Sequence, residues 1–159
     1  MDVPKTPQTT LHHCRPSLRS FQCMVKTARV LAIGIKLATL ACDICKWQLA
    51  RHAHFIAENP WGSALWLLPC YLALMQMPGV SWAQCDQCML GLTDPDNIAT
   101  RKSTCFLGSC DAIAKRLRIR CDQSHSHVQL AGSTHGISRC KHAQAWPRRL
   151  CEVIISGIV

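Results

Sequence analysis

Acidic residues are scarce in this chain of 159 residues: nine Asp and Glu stand against 18 Lys and Arg, a formal net charge of +9. No acid occurs from 3 to 41, no Lys or Arg from 58 to 100, and no charge of either sign from 60 to 84. Aromatic residues make up 6% and glycine and proline eight each, so a collagen-like or linker-like chain is excluded. With 48% hydrophobic and 17% charged residues, intrinsic disorder is excluded too, because enough apolar surface is present to pack. There is no G-x-S-x-G, no P-loop and no G-x-G-x-x-G, which removes the hydrolase, phosphoryl-transfer and dinucleotide classes that depend on them. The first thirty residues lack the basic-then-apolar order of a secretory signal. The thiols are therefore read as reduced, in cytoplasm or nucleus, and an organellar location ranks behind these even though the basic, acid-free N-terminus has transit-peptide composition.

What the chain has in quantity is cysteine, 12 residues, and positive charge. The charge favours a polyanionic partner, nucleic acid before an anionic membrane surface. The length suits one small domain. Residues 1–27 hold Pro4, Pro7 and Pro16 without hydrophobic period and read as a basic, disordered arm ahead of a domain at 28–159. The uncharged stretch 60–84 is cut by Pro60, Pro69 and Pro78, with Gly62 and Gly79. That leaves about 14 apolar-rich residues, a buried helix and not a membrane span.

Periodicity predicts an amphipathic helix over 30–45 whose core face is Leu31, Ile35, Ala38, Cys42 and Cys45. Strands are expected at 54–57, 79–84 and 104–107, and a helix at 68–76 with Pro69 in its first turn. An exposed loop is expected at 91–100. A helix capped by Ser109 or Asp111 should run to about 120 with Ile113 and Leu117 inward, and a last helix should start at Pro147. Lys115, Arg116, Arg118 and Arg120 form a basic outer face, either solvated or able to meet phosphates. The apolar end, Ile158 and Val159, suggests truncation.

The chemistry sits in cysteine and histidine. Cys85-Asp-Gln-Cys88 is followed by Cys121, His125 and His127, which together offer four soft or borderline donors for tetrahedral zinc. The expected ligands are Cys88, Cys121, His125 and His127, with Cys85 as the alternate. Burial of the thiols with the histidines in a polar loop is the competing explanation. The second C-x-x-C, Cys42 and Cys45, falls within a helix and not at its N-terminus, so packing is expected there and not redox chemistry. His135, Cys140 and His142 read as loop.

From residue 55 the chain carries Phe-Ile-Ala-Glu-Asn-Pro-Trp-Gly-Ser-Ala-Leu-Trp at 55–66, Met-Pro-Gly-Val at 77–80 and Asp-Gln-Cys-Met-Leu-Gly-Leu at 86–92. Arg-Lys-Ser-Thr at 101–104, the Cys121/His125/His127 group and Trp-Pro-Arg-Arg-Leu-Cys at 146–151 follow. In order and spacing, residues 47–159 resemble a domain of retroelement polyproteins that is itself similar to the C-terminal half of cytosine-C5 DNA methyltransferases. The resemblance implies a mobile-element origin and an α/β fold: a partial, incomplete Rossmann-like sheet with a Cys/His-rich C-terminal region from about residue 85. It implies that Glu58 matches the acid of the family's Glu-Asn-Val signature, which contacts a flipped base, and that Arg101 and Lys102 lie near its nucleotide-contacting basic motif, facing the same cleft. The family's Gly-Pro-Pro-Cys nucleophile and its Gly-rich S-adenosylmethionine loop are not in this sequence, so catalysis by this chain alone is not expected.

The leading expectation is a non-catalytic, degenerate methyltransferase-like domain associated with nucleic acid and carrying structural zinc. A zinc-dependent protein-interaction module and a small organellar or membrane-associated protein are the alternatives. No small-molecule substrate is indicated.

Overall fold

A computed structural model describes residues 18–158. The first helix, α1 (Leu18–Ala50), is longer than the 30–45 expected from periodicity, because no proline interrupts those 33 residues. It ends where His52 turns left-handed (φ 57°) and the N–H groups of Arg51, His52 and Ala53 fold back onto the carbonyls of Gln48 and Leu49. The first seventeen residues of the expected arm lie outside the described residues. The described residues divide into two compact units, 18–36 and 37–158. In the first, Val30, Leu31, Ile33 and Ile35 of α1 are exposed. Leu31 and Ile35 therefore depart from the predicted core face, whereas Ala38, Cys42 and Cys45, in the second unit, are buried as predicted.

The second unit is built on a three-stranded sheet of β1 (Ile56–Pro60), β2 (Ser81–Asp86) and β3 (Ser103–Gly108), in the order β1-β3-β2. Both pairings are antiparallel: Glu58 stands opposite Phe106 and Phe106 opposite Ala83, while Asn59, Cys105 and Gln84 form the next row. The expected Rossmann-like sheet, which requires parallel strands joined by crossover helices, is not what these strands form. The architecture is a mixed α/β one with helices on both faces of a small antiparallel sheet.

Successive residues of a strand point to opposite faces, and β3, with both faces covered, buries Thr104, Cys105, Phe106 and Leu107 in succession. On one face Ala83, Cys85 and Phe106 pack with Ile113, Ala114 and Leu117 of α3 (Asp111–Leu117) and with Leu150 and Ile154 of α5 (Arg148–Ile155). On the other, Cys105 and Leu107 meet Trp66, which lies in a 3₁₀ turn (Ala64–Leu67), and Tyr71 and Leu74 of α2 (Pro69–Met75). Ala38, Cys42 and Cys45 complete that cluster, so the C-x-x-C of α1 serves packing; burial pushes the Cys42 thiol up to about 11. Pro69 opens α2 where its missing N–H costs nothing, as predicted.

The cap of α3 differs from expectation. Cys110 holds the cap position, while the Ser109 hydroxyl accepts the Phe55 N–H at 3.1 Å and so ties the helix start to the strand edge. The 91–100 segment is not freely exposed either. Buried Asp94 accepts the N–H groups of Asp96 and Ile98 on one oxygen, each at 3.0 Å. Its other oxygen meets Thr134 Oγ1 at 3.3 Å and Arg139 Nε at 3.6 Å, which links the loop to the hairpin of β4 (Ser133–Thr134) and β5 (Ile137–Ser138). His135 and Gly136, both at positive φ, make the two-residue turn of that hairpin. The short helix α4 (Arg139–His142) follows, with the Ser138 hydroxyl accepting the Lys141 N–H. Among the described residues no helix is long and apolar enough to cross a membrane.

Candidate metal centre

Cys88 lies in a 3₁₀ turn (Gln87–Leu90) that begins where β2 ends. The Gln87 N–H donates to Lys102 O at 3.0 Å and its Nε2 donates to Thr104 Oγ1 at 2.8 Å, which pins the turn against β3. Gly91, at φ 87°, closes it by donating to Cys88 O.

Cys121 arrives from the other direction. Beyond α3 the backbone passes β2, where Ile119 O accepts the Asp86 N–H at 2.8 Å. The Asp86 carboxylate, wholly buried, then accepts the Cys121 N–H at 2.9 Å and Arg120 Nε at 3.0 Å on Oδ2. Burial works against ionisation of Asp86, but these donors and Ser103 outweigh it and hold the carboxyl below the usual carboxylate range. Asp86 thus fixes the approach of Cys121 to Cys88. Sequence reasoning missed this role; the signal available was a single charge inside a C-x-x-C that follows an uncharged run from 59 to 85.

After Cys121 the chain turns sharply. The Gln123 N–H donates to Cys121 Sγ at 3.3 Å with Gln123 itself left-handed, and Asp122 accepts the Ser124 N–H and hydroxyl at 3.0 and 2.8 Å. His125 and His127, separated by one residue, return to the same side, with ring centroids 4.6 Å apart. The Val128 N–H then donates to Ala99 O at 3.0 Å and secures the far end of the loop.

The result is a set of four donors, Cys88, Cys121, His125 and His127, whose ligand atoms all lie within 4.8 Å of one another. Cys121 Sγ stands 3.4 Å from His127 Nε2 and 3.9 Å from His125 Nε2. Donors held about 2.0–2.3 Å from one tetrahedral ion stand roughly 3.3–3.8 Å apart, so the spacing is close to what an ion requires. Cys88 is buried and the other three are half-buried. Burial, then the neighbouring Cys121, pushes the Cys88 thiol up to about 11, an environment in which a thiolate needs a cation beside it. The group can hold a metal ion. Its membership is the expected one, and the alternate, Cys85, points into the core beneath α3 and α5, with its thiol pushed up to about 12 by burial.

The other expected site residues scatter. Arg101 and Lys102 are neighbours, so they leave the strand start on opposite faces. Lys102 Nζ reaches Glu58 Oε1 at 3.6 Å and donates to Ala143 O at 3.2 Å; Arg101 Nε stands 3.9 Å from Asp86 Oδ1. Glu58 and Lys102 therefore meet, while Arg101 lies toward Asp86. Lys115 pairs with Asp111 at 2.8 Å along α3, Arg116 and Arg118 are exposed, and Arg120 turns back to Asp86 and Gln84. Of the third cysteine-histidine cluster, His135 pairs with Asp96 at 2.6 Å and Cys140 donates to Leu130 O at 2.6 Å. A cavity of about 220 Å³ beside β1 and α5, lined by Phe55, Ile56, Ile113 and Ile154 among others, shares no residue with the metal group. Set against family models, curated proteins and solved structures, the chain matches none.

Proposed function

We propose that this chain is a non-enzymatic binding domain whose C-terminal half is stapled by one structural zinc ion on Cys88, Cys121, His125 and His127. The observation that carries the proposal is the convergence of four ligand atoms from two separate segments to within 4.8 Å of one another. Two thiolates and two imidazoles are a donor set that favours zinc over magnesium or calcium, which take oxygen. Four protein ligands fill a tetrahedron and leave no open position for water, the arrangement of a structural site.

The energetic reason for such a staple is local. Between α3 and β4 the chain runs through about fifteen residues with no regular element, anchored by few backbone hydrogen bonds. Zinc binding in small domains contributes about 10–16 kcal/mol of apparent free energy at neutral pH, enough to order such a segment. In this reading Glu58 serves as the ion-pair partner of Lys102 at 3.6 Å.

Cobalt substitution tests it. The reduced, metal-free chain titrated with Co²⁺ should develop the intense visible absorption of tetrahedral thiolate-bound cobalt and saturate at a single equivalent, and zinc should bleach it. Cys121→Ala should abolish the absorption. A spectrum of octahedral aqueous type in the unsubstituted chain would overturn the proposal.

A further inference from the structure

The face of the sheet that carries Cys105 and Leu107 also carries a surface that the metal reading leaves unused. Trp82, Gln84 and Asp86 alternate along β2 and share that face. Trp61, just past β1, donates its N–H to Ser103 O at 3.0 Å, and its ring reaches across to Trp82, with centroids 5.2 Å apart and planes inclined at 42°. Both indoles are substantially open to solvent, Trp61 at 40% and Trp82 at 50%. Two adjoining exposed tryptophans are an expensive surface to keep in water, and such patches mark recognition sites.

Positive charge borders the pair. Gln84 Nε2 donates to Ser103 Oγ at 2.9 Å, and Gln84 Oε1 accepts from Arg120. Arg120 and Arg101 both approach the buried Asp86 carboxylate, at 3.0 and 3.9 Å, while their own side chains remain about half exposed. Two guanidinium groups over one carboxylate leave a net positive charge around Asp86, which shares a sheet face with Trp82.

We propose that Trp61, Trp82, Arg101 and Arg120 form a platform for single-stranded nucleic acid, with bases stacked on the indoles and phosphates drawn to the arginines. The chain's net charge of +9 complements a polyanion. A duplex keeps its base faces inside the stack and cannot offer them to the indoles, whereas every unpaired base can, without regard to sequence. An acidic peptide would satisfy the arginines but leave the indoles without aromatic partners. The inference goes beyond the zinc proposal: Trp61, Trp82 and Arg101 stand on or beside the sheet, and Arg120 alone lies in the segment that the ion would staple.

The test uses the full, zinc-loaded chain with labelled oligonucleotides of about 12 nucleotides, oligo-dT and oligo-U in parallel to separate DNA from RNA, followed by fluorescence anisotropy. Single strands should bind more tightly than a duplex of equal length. Two phosphate contacts predict a slope of log affinity against log salt of about −1.4, reduced by about half in Arg101→Gln. The pair Trp61→Ala/Trp82→Ala should lose at least about tenfold in affinity with zinc content unchanged, and the pair Trp61→Phe/Trp82→Phe should keep most of it. Equal affinity for duplex, equal competition by poly-glutamate, or an alanine pair that binds like the unsubstituted chain would each overturn the proposal. If the alanine pair loses its far-ultraviolet dichroism, the phenylalanine pair and Arg101→Gln decide: loss of binding in the first or an unchanged salt slope in the second refutes the platform. Loss of cobalt binding with single-strand binding intact would refute the zinc reading alone.

Discussion

Replacing Asp86 by asparagine removes a buried negative charge and changes almost no volume, which isolates what the carboxylate does for the metal loop. Oδ2 accepts the Cys121 N–H at 2.9 Å and Arg120 Nε at 3.0 Å. A hydrogen bond to an ionised group contributes about 1.5–3 kcal/mol when shielded. The bond to Cys121 survives in neutral form at roughly half strength. The one to Arg120, whose side chain is 52% exposed, is discounted to about 0–1 kcal/mol. The expected loss is therefore about 1–2.5 kcal/mol of stability. Because the same carboxylate aims Cys121 at Cys88, zinc affinity should fall about 10- to 100-fold, the range for outer-shell partners of metal ligands. The pH dependence has a definite sign: the folded-state carboxyl is held below its ordinary value, so its contribution is full above about pH 4 and is lost as pH falls through the lower folded value. Asp86→Asn should remove that acid-side component. Competition against a zinc-chelating dye, with thermal unfolding followed by circular dichroism, measures both effects. Unchanged zinc affinity together with an unchanged Tm would refute the positioning role.

Other perturbations separate neighbouring explanations. Cys85→Ala should leave zinc stoichiometry intact and cost only core packing, whereas Cys88→Ala should lose the ion, as metal analysis of the two variants would show. Gly157→Ala should destabilise by about 1–3 kcal/mol in chemical denaturation, because an added Cβ would stand 2.7 Å from Ile113 Cγ1 and 3.0 Å from its Cα, where α5 closes on α3. Asp94→Asn should lower Tm at neutral pH and bring little further loss below about pH 4, since burial resists ionisation of Asp94 but the Ile98 and Asp96 N–H groups, Thr134 and Arg139 hold its carboxyl low. A Tm equal to that of the unsubstituted chain at pH 7 would contradict the latch between the 91–100 loop and the β4–β5 hairpin.

The helices that carry a local start signal were legible in the sequence. Pro69 and Pro147 mark the entries of α2 and α5, and Ile113 with Leu117 gives the inner face of α3. The strands near 54–57, 79–84 and 104–107 were legible in place but not in direction. Alternation tells which side chains share a face and is silent on whether the neighbouring strand runs parallel, so the Rossmann-like expectation came from motif order and met an antiparallel sheet. Leu31 and Ile35 misled because periodicity identifies an apolar stripe without saying whether anything covers it. The group Cys88, Cys121, His125 and His127, which can hold a metal ion, could be read from residue type and spacing with Cys85 as the alternate. The structure separates the two cysteines: Cys85 is the last inward position of β2, and Cys88 sits one turn later on the 3₁₀ segment, within reach of Cys121. Asp86, Trp61 and Trp82 were not picked out because their significance lies in contacts across the sheet, at sequence separations no local pattern encodes.

The central claim is that zinc completes this fold, and it is tested most directly by metal analysis of the chain purified under reducing conditions, paired with thermal unfolding before and after chelation. Close to one zinc per chain is expected, with a cooperative transition that chelation abolishes and zinc restores. A chain that retains no zinc, or that unfolds cooperatively at the same temperature with and without chelator, would contradict it.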